Sequence, residues 1–484
     1  MTPLEILALG WFAALTLAGF TVPSVLLHRR GQPQAATSWL LALFAIPPLA
    51  IVAWWALGRT RLERRRWRRR RADALLQPAL VRARASLEEP ARAEAGLLEI
   101  VCLPDELQDS VFPPSGGNAA RLLVDADAAY PAWEAAIRAA RHHVHLLFYT
   151  WRPDAVGTRL RDLLCERARE GIEVRVLTDD VGSLGLRGHF APLVAAGGRR
   201  ATFFPVRFLT SSPRLNFRNH RKLIVVDGEV GFLGGMNIGE EYLRWHDLAL
   251  ELRGPAVDQL QEVFASDWHF ACREELASER YFGGWRAPTT PAAWAPGSGA
   301  EDVSCAVVAS GPEQEHNAGH ELMFMALTRA RRRVWISTPY LLPDAAVRLA
   351  LRTAVYRGVD VRILVPERER NDLRVVSRAA RAFYPELARA GIRLFEYPEM
   401  VHTKAAVFDD ELAFVGSANL DVRSFRDNFE LLAFLQSSEL NAQLAALFEA
   451  DMGRSRELRA DELARRPYAS RVLDAAAHLL TPLM

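Results

Sequence analysis

An eighteen-residue pattern occurs twice in this chain, and it limits the possible folds more than any bulk property does. The first copy runs His220-x-Lys222-x4-Asp227-x6-Gly234-Gly235-x-Asn237. The second runs His402-x-Lys404-x4-Asp409-x6-Gly416-Ser417-x-Asn419. A lone H-x-K triplet would be noise, but two long copies at matching places in two similar blocks require two copies of one structural unit. In the first block, a helical pattern over 135–141 leads to an apolar strand over 144–149. A second helix follows, ends at Gly171, and gives way to a strand over 172–177. The second block repeats this with 327–333, a strand over 334–337, a helix ending at Gly358 and a strand over 359–364. Glycine at a helix end suits the left-handed cap, and the strands are rich in β-branched residues. Strands alternating with helices predict α/β layers around largely buried sheets. Two such units predict a pseudo-two-fold arrangement with a shared site at the junction.

The pattern also predicts chemistry. Side chains two apart on a strand share a face, so each histidine and its lysine point the same way. The glycine pairs, including Gly235 and Gly416-Ser417, let backbone come close to a phosphate, and Asn237, Asn419 and Ser417 offer donors to its oxygens. Two imidazoles, two ammonium groups and two amides at one point suit a phosphodiester. One histidine attacks phosphorus and the other protonates the leaving alkoxide, while lysines and asparagines stabilise the equatorial oxygens. The catalytic set is therefore His220, Lys222, Asp227, His402, Lys404 and Asp409. Within it, Asp227 and Asp409 end their strands and suit a local anchoring role better than substrate contact. Asp247, 27 residues after His220, and Glu430, 28 after His402, each open an apolar segment and are the candidates to orient the histidines. No metal or other cofactor is called for. His142, His143 and His145 straddle a helix end and a strand start and read as packing residues.

Composition sharpens this. The chain has 60 Lys+Arg, of which only Lys222 and Lys404 are lysines, so both lysines fall at one position of the two motifs. Residues 1–73 carry a net charge of +8 and the rest −6. A mildly acidic catalytic region argues against nucleic acid as partner. Residues 6–27 and 37–58 contain no charge, and 22 helical residues span about 33 Å, enough to cross a bilayer core of about 30 Å. Pro47 and Pro48 leave the second stretch open to a kinked or re-entrant path. The first ten residues lack the Lys or Arg of a cleaved signal peptide. Nine arginines over 59–71 face only Glu63, which predicts a cytoplasmic C-terminal part and contact with anionic lipid. The four cysteines, Cys102, Cys165, Cys272 and Cys305, have neither zinc nor disulfide spacing and read as buried thiols. The C-terminal 472–483 is apolar on one side, which suits either core packing or membrane contact.

The two motifs, with Arg218-Asn219 before the first, Met236 and 238–242 after it, Thr338-Pro339-Tyr340, 416–425 and Asn428-Phe429-Glu430, resemble the phospholipase D superfamily. More narrowly, they resemble its bacterial cardiolipin synthases. The likeness runs over nearly the whole chain, including 39–59 and 480–483. It implies an α/β fold of two pseudo-two-fold-related phospholipase D-like sandwich repeats behind a two-helix transmembrane hairpin. The expected boundaries are a hairpin at 1–58, a basic juxtamembrane segment and linker at 59–120, and a first repeat at 121–286. A linker at 287–303, a second repeat at 304–455 and a tail at 456–484 follow. The resemblance further implies transfer of a phosphatidyl group between two phosphatidylglycerol molecules, with loss of glycerol, at the bacterial inner membrane by a multi-pass protein. Hydrolysis by the same site, another phosphatidyl transfer, or a silent membrane scaffold are the alternatives; two intact His-Lys pairs count against the scaffold. Residues 399–401 are less glycine-rich than the family pattern, a departure that bears on the pocket wall and not on the chemistry.

Overall fold

The computed structural model describes residues 2–29, 33–55, 69, 76–81, 97, 111–186, 188–205, 217–284, 294, 298–314, 316–479 and 481. The basic run 59–71, apart from Arg69, lies outside them, as do Cys102 and most of 287–299.

The apolar N-terminal region forms a helical unit of its own. Its first helix, Pro3–His28, is started by a reciprocal cap in which Thr2 accepts from the Glu5 amide and Glu5 accepts from the Thr2 amide. It packs against Pro33–Ala45 and Pro47–Ala53, with Ala18, Val25, Leu43, Ala50 and Trp54 inside. Phe12, Phe20, Leu41 and Leu49 are exposed on the outside. A bundle apolar on its outer faces is a lipid-facing pattern. Leu9–His28 is long and apolar enough to cross a membrane. The second apolar stretch takes the kinked path: proline disfavours helical geometry in the residue before it, and the chain breaks at Ile46 into two short helices. Among the described residues one unbroken helix is of crossing length.

The remaining unit contains both repeats, and their strands join one sheet. Across the first repeat the order is Arg199–Phe203, Glu173–Asp179, His143–Phe148, Leu223–Val226, Val230–Gly234, Leu248–Arg253 and Ser115–Val124. It continues through Ala300–Ser310, Asn428–Gln436, Leu412–Gly416, Ala405–Phe408, Arg333–Ser337, Asp360–Pro366 and Arg393–Tyr397, ending at Arg456–Leu458. Up to Arg393–Tyr397 the second list mirrors the first about the antiparallel pair Ser115–Val124 and Ala300–Ser310. The expected helix-strand alternation is present: Ala155–Arg169 and Ala345–Tyr356 end before Gly171 and Gly358, both left-handed. Three expected boundaries move. The expected segment and linker at 59–120 overlaps a seam strand, which starts at Ser115. The expected linker at 287–303 overlaps the other seam strand, which starts at Ala300. The tail contributes Arg456–Leu458 to the second repeat's sheet. Small polar residues in these segments disguise strands whose burial comes from pairing across repeats. Cys165 and Cys305 are buried as expected, but Cys272 is exposed at the end of its helix.

Candidate active site

Each motif histidine lies just ahead of a sheet strand rather than in one. His220, Arg221 and Lys222 bridge the short strand Arg218–Asn219 to Leu223–Val226, and His402–Lys404 precede Ala405–Phe408. The segments are held by the other half of the molecule. Arg218–Asn219 pairs in parallel with Asn428–Phe429, and the His220 amide donates to the Phe429 carbonyl at 2.9 Å. Symmetrically, the His402 amide donates to the His246 carbonyl at 2.7 Å.

The orienting carboxylates follow the same crosswise logic. His220 Nδ1 sits 3.0 and 3.1 Å from the two Glu430 oxygens, and His402 Nδ1 sits 2.7 Å from Asp247 Oδ2. Counting within a block sets Asp247 beside His220 and Glu430 beside His402; in the folded chain the partners are exchanged between repeats. A carboxylate on Nδ1 keeps the proton there and leaves the Nε2 lone pair for reaction. Ser417 Oγ donates to Glu430 and accepts from the Leu431 amide, so it orients the carboxylate rather than a phosphate. Asn428 also donates to Glu430, at 3.2 Å.

Gly235 is corrected in the same way. A Cβ there would lie 2.4 Å from Asp247 Oδ1 and 3.1 Å from Lys404 Cδ, so its missing side chain admits the second repeat's lysine. Asn237 accepts from the Thr150 amide at 3.1 Å through Oδ1, and Asn419 donates to Asp421 at 3.2 Å. Both are buried at the site and retain amide N–H capacity. Asp227 and Asp409 do not belong to the catalytic set. Asp227 accepts the amides of Arg141, His142 and His143, and Asp409 those of Arg331, Arg332 and Arg333.

Both lysines are buried, and each Nζ donates to the carbonyl of its own motif histidine, at 2.7 Å for Lys222. Burial pushes Lys222 well below the ordinary lysine range and Lys404 down to about 8. Burial, helped by the two ammonium charges, holds His220 down to about 4 and His402 to about 3. Burial pushes the Glu430 carboxyl up, but His220, Lys222 and the Ser417 hydroxyl outweigh it and the net shift is downward. At neutral pH the site therefore holds two neutral imidazoles.

Several neighbours escape a reading of the sequence. Tyr149 packs edge-on to His220 with ring centroids 5.0 Å apart and carries Lys222 over its face at 5.5 Å. Trp245 lies 4.9 Å from His402. Arg221, fully buried, is clamped on Asp267 at 2.8 and 2.9 Å. Adjacency is the available signal: Trp245 and His246 precede Asp247, and Tyr149 ends a predicted strand. The histidines at 142, 143 and 145 are packing residues, with His145 bonded to Gln261 and stacked on Phe264.

A family model described as cardiolipin synthase, PLD-like domain, matches residues 134–268 and 323–452. The chain belongs to the phospholipase D-like cardiolipin synthase family. A cardiolipin synthase of Alkalihalophilus pseudofirmus is 31% identical over 97% of this chain and 93% of its own length. One from Geobacillus kaustophilus is 33% identical over 98% and 94%, and cardiolipin synthase A of Pseudomonas aeruginosa 38% over 88% and 85%. Cardiolipin synthases are phosphatidyltransferases, and the paired His-Lys site has the groups for that reaction. Among solved structures, phosphatidylserine synthase of Haemophilus influenzae shares the fold, with TM-score 0.58 over 75% of this chain and 95% of that one at 15% identity.

Proposed function

We propose that this cardiolipin synthase family member transfers a phosphatidyl group from one phosphatidylglycerol to another, giving cardiolipin and glycerol through a phosphohistidine. The crosswise His–carboxylate pairs, with both lysines beside them, carry this reading. His220 is the nucleophile, with Nδ1–H held by Glu430 and Nε2 free for phosphorus. It is also the more exposed imidazole, at 12% against 6% for His402. The phosphodiester's charge and Asp247 raise the proton affinity of His402, which protonates the departing glycerol oxygen. Neutral again, His402 takes the proton from the second phosphatidylglycerol's hydroxyl as that oxygen displaces His220. Lys222, Lys404, Asn237 and Asn419 stabilise the equatorial oxygens. The Leu9–His28 helix anchors the chain, and the arginines of 59–71 keep the catalytic unit on the cytoplasmic side against anionic lipid.

Labelled phosphatidylglycerol supplied to membranes carrying the protein should give cardiolipin and equimolar glycerol; phosphatidic acid alone would make the chain a hydrolase. Trapping the phosphorylated enzyme should mark His220, and a label only on His402 would reverse the two roles.

A further inference from the structure

The helix Tyr468–His478 is built inside out. Its inward face carries Asp474, 2% exposed, and Ala477, with Ser470 and His478 half-buried. Its outward face carries Tyr468, Val472, Leu473 and Leu479, exposed by 80, 46, 53 and 78%. The inward carboxylate is held by Arg466 and Arg378. Arg378 belongs to Arg374–Arg381, the helix against which this one packs, and that element exposes Leu373 and Val375. A surface helix normally buries its apolar stripe and hydrates its charges. Here Tyr468–His478 does the reverse, and its neighbour, which buries Val376, Ala379 and Ala380 in the ordinary way, adds exposed Leu373 and Val375 beside it, the pattern of a face that meets something apolar.

Two further observations say what that is. Arg374 and Arg471 are exposed on these two helices and Arg370 on the turn that precedes the first, and among the described residues none of them is engaged in an ion pair. An apolar face rimmed by unneutralised arginines complements an anionic phospholipid surface. The patch also adjoins the active site. Leu373 follows Asp372, whose carboxylate accepts from the hydroxyl of half-buried Tyr340 at 2.7 Å and lies close enough to Lys404 to feel its charge.

We propose that these two helices are an interfacial anchor for an anionic phospholipid leaflet. Leu373, Val375, Val472, Leu473 and Leu479 enter the boundary between headgroups and acyl chains, and the arginines meet headgroup phosphates. The contact sets the mouth of the site on the surface that supplies the phosphodiester, separately from the N-terminal helix.

The test uses the full chain in vesicles of phosphatidylglycerol and phosphatidylcholine, with a photo-reactive benzophenone amino acid at position 473. Adducts to lipid are expected. Adducts only to a second copy or to another segment of the same chain, or no lipid adduct at all, would overturn the anchor. This readout does not depend on turnover, so it stands apart from the proposed reaction. Kinetics give the second arm. Burial of one Val or Leu is worth about ten-fold or more in partitioning. Val472→Glu with Leu473→Glu should therefore raise the apparent KM for vesicle phosphatidylglycerol by about that factor. Turnover of dispersed short-chain phosphatidylglycerol should be unchanged. Equal losses on both substrates, or on neither, would contradict the proposal, and the milder Leu473→Ser guards against a folding defect.

Discussion

Lys222 and Lys404 each turn the ammonium back on the carbonyl of their own motif histidine, inside a wall that leaves no exposed volume. That geometry explains why two lysines persist in a chain whose other 58 basic residues are arginines. A guanidinium is a wide planar fork, while an ammonium is a compact charge with three donors. Lys404 Cδ already approaches the space above Gly235, so a longer, flatter head has nowhere to go. Lys222→Arg and Lys404→Arg should each lower kcat/KM by about a hundred-fold or more while thermal unfolding stays near wild type. Near wild-type turnover would mean that the lysine count reflects only codon bias. The lowered value of Lys404 gives a second expectation. Its ammonium is lost as pH rises through about 8, so kcat/KM should fall on the alkaline side with an apparent value near there. Saturating substrate should move that limb upward, because a bound phosphodiester anion favours the charged form. The motif residues are legible in the sequence because they recur at fixed spacing. Tyr149 and Trp245 are not, since their role comes from a ring contact that no spacing encodes.

At the level of strands and turns, the motif aspartates show how a local device passes for a catalytic one. Asp227 and Asp409 adopt left-handed backbone, φ 55° and 52°, at the far ends of their strands, and each carboxylate gathers three amides from the start of a neighbouring strand. Asp227→Ala or Asp409→Ala should cost about 3 kcal/mol of stability, read by denaturant unfolding, with turnover of the folded fraction unchanged. Loss of turnover at full folding would return these residues to the active site. Gly235 predicts the opposite. A methyl carbon at that position would sit only 2.4 Å from Asp247 Oδ1, so Gly235→Ala should displace the carboxylate from His402 and remove activity with little loss of stability. Helix-strand alternation and glycine caps are legible because they obey local rules. The exchange of Asp247 and Glu430 between histidines is not, because it depends on strand pairing across the seam, where Phe429 and His246 carry the two motif segments.

Across the whole molecule, two buried carboxylates from equivalent helices brace the seam with cations of different kinds. Asp267, in Ala256–Cys272, holds the Arg221 guanidinium, which also donates to the Glu430 and Ser310 carbonyls across the seam. Asp451, in Ser438–Arg454, accepts from His246 Nε2 at 2.9 Å, while His246 Nδ1 lies 2.8 Å from Asp125 of the first repeat. Burial alone would lower the imidazole, but the two carboxylates outweigh it and raise His246 to about 10. A folded value above the unfolded one of about 6.5 means that the group's contribution is complete below that pH. It is lost progressively as pH rises toward about 10. Lys404 acts with the opposite sign above about 8, since the unfolded chain there holds the proton more tightly. Wild type alone therefore cannot isolate the effect, and the difference between variants can. His246→Gln should lower the melting temperature most below about pH 6.5 and least near pH 10, so that the two curves converge on the alkaline side. His246→Arg, which keeps a cation between Asp125 and Asp451, should hold its advantage over His246→Gln across the whole range. Parallel curves for wild type and His246→Gln would show that the imidazolium does not brace the two repeats.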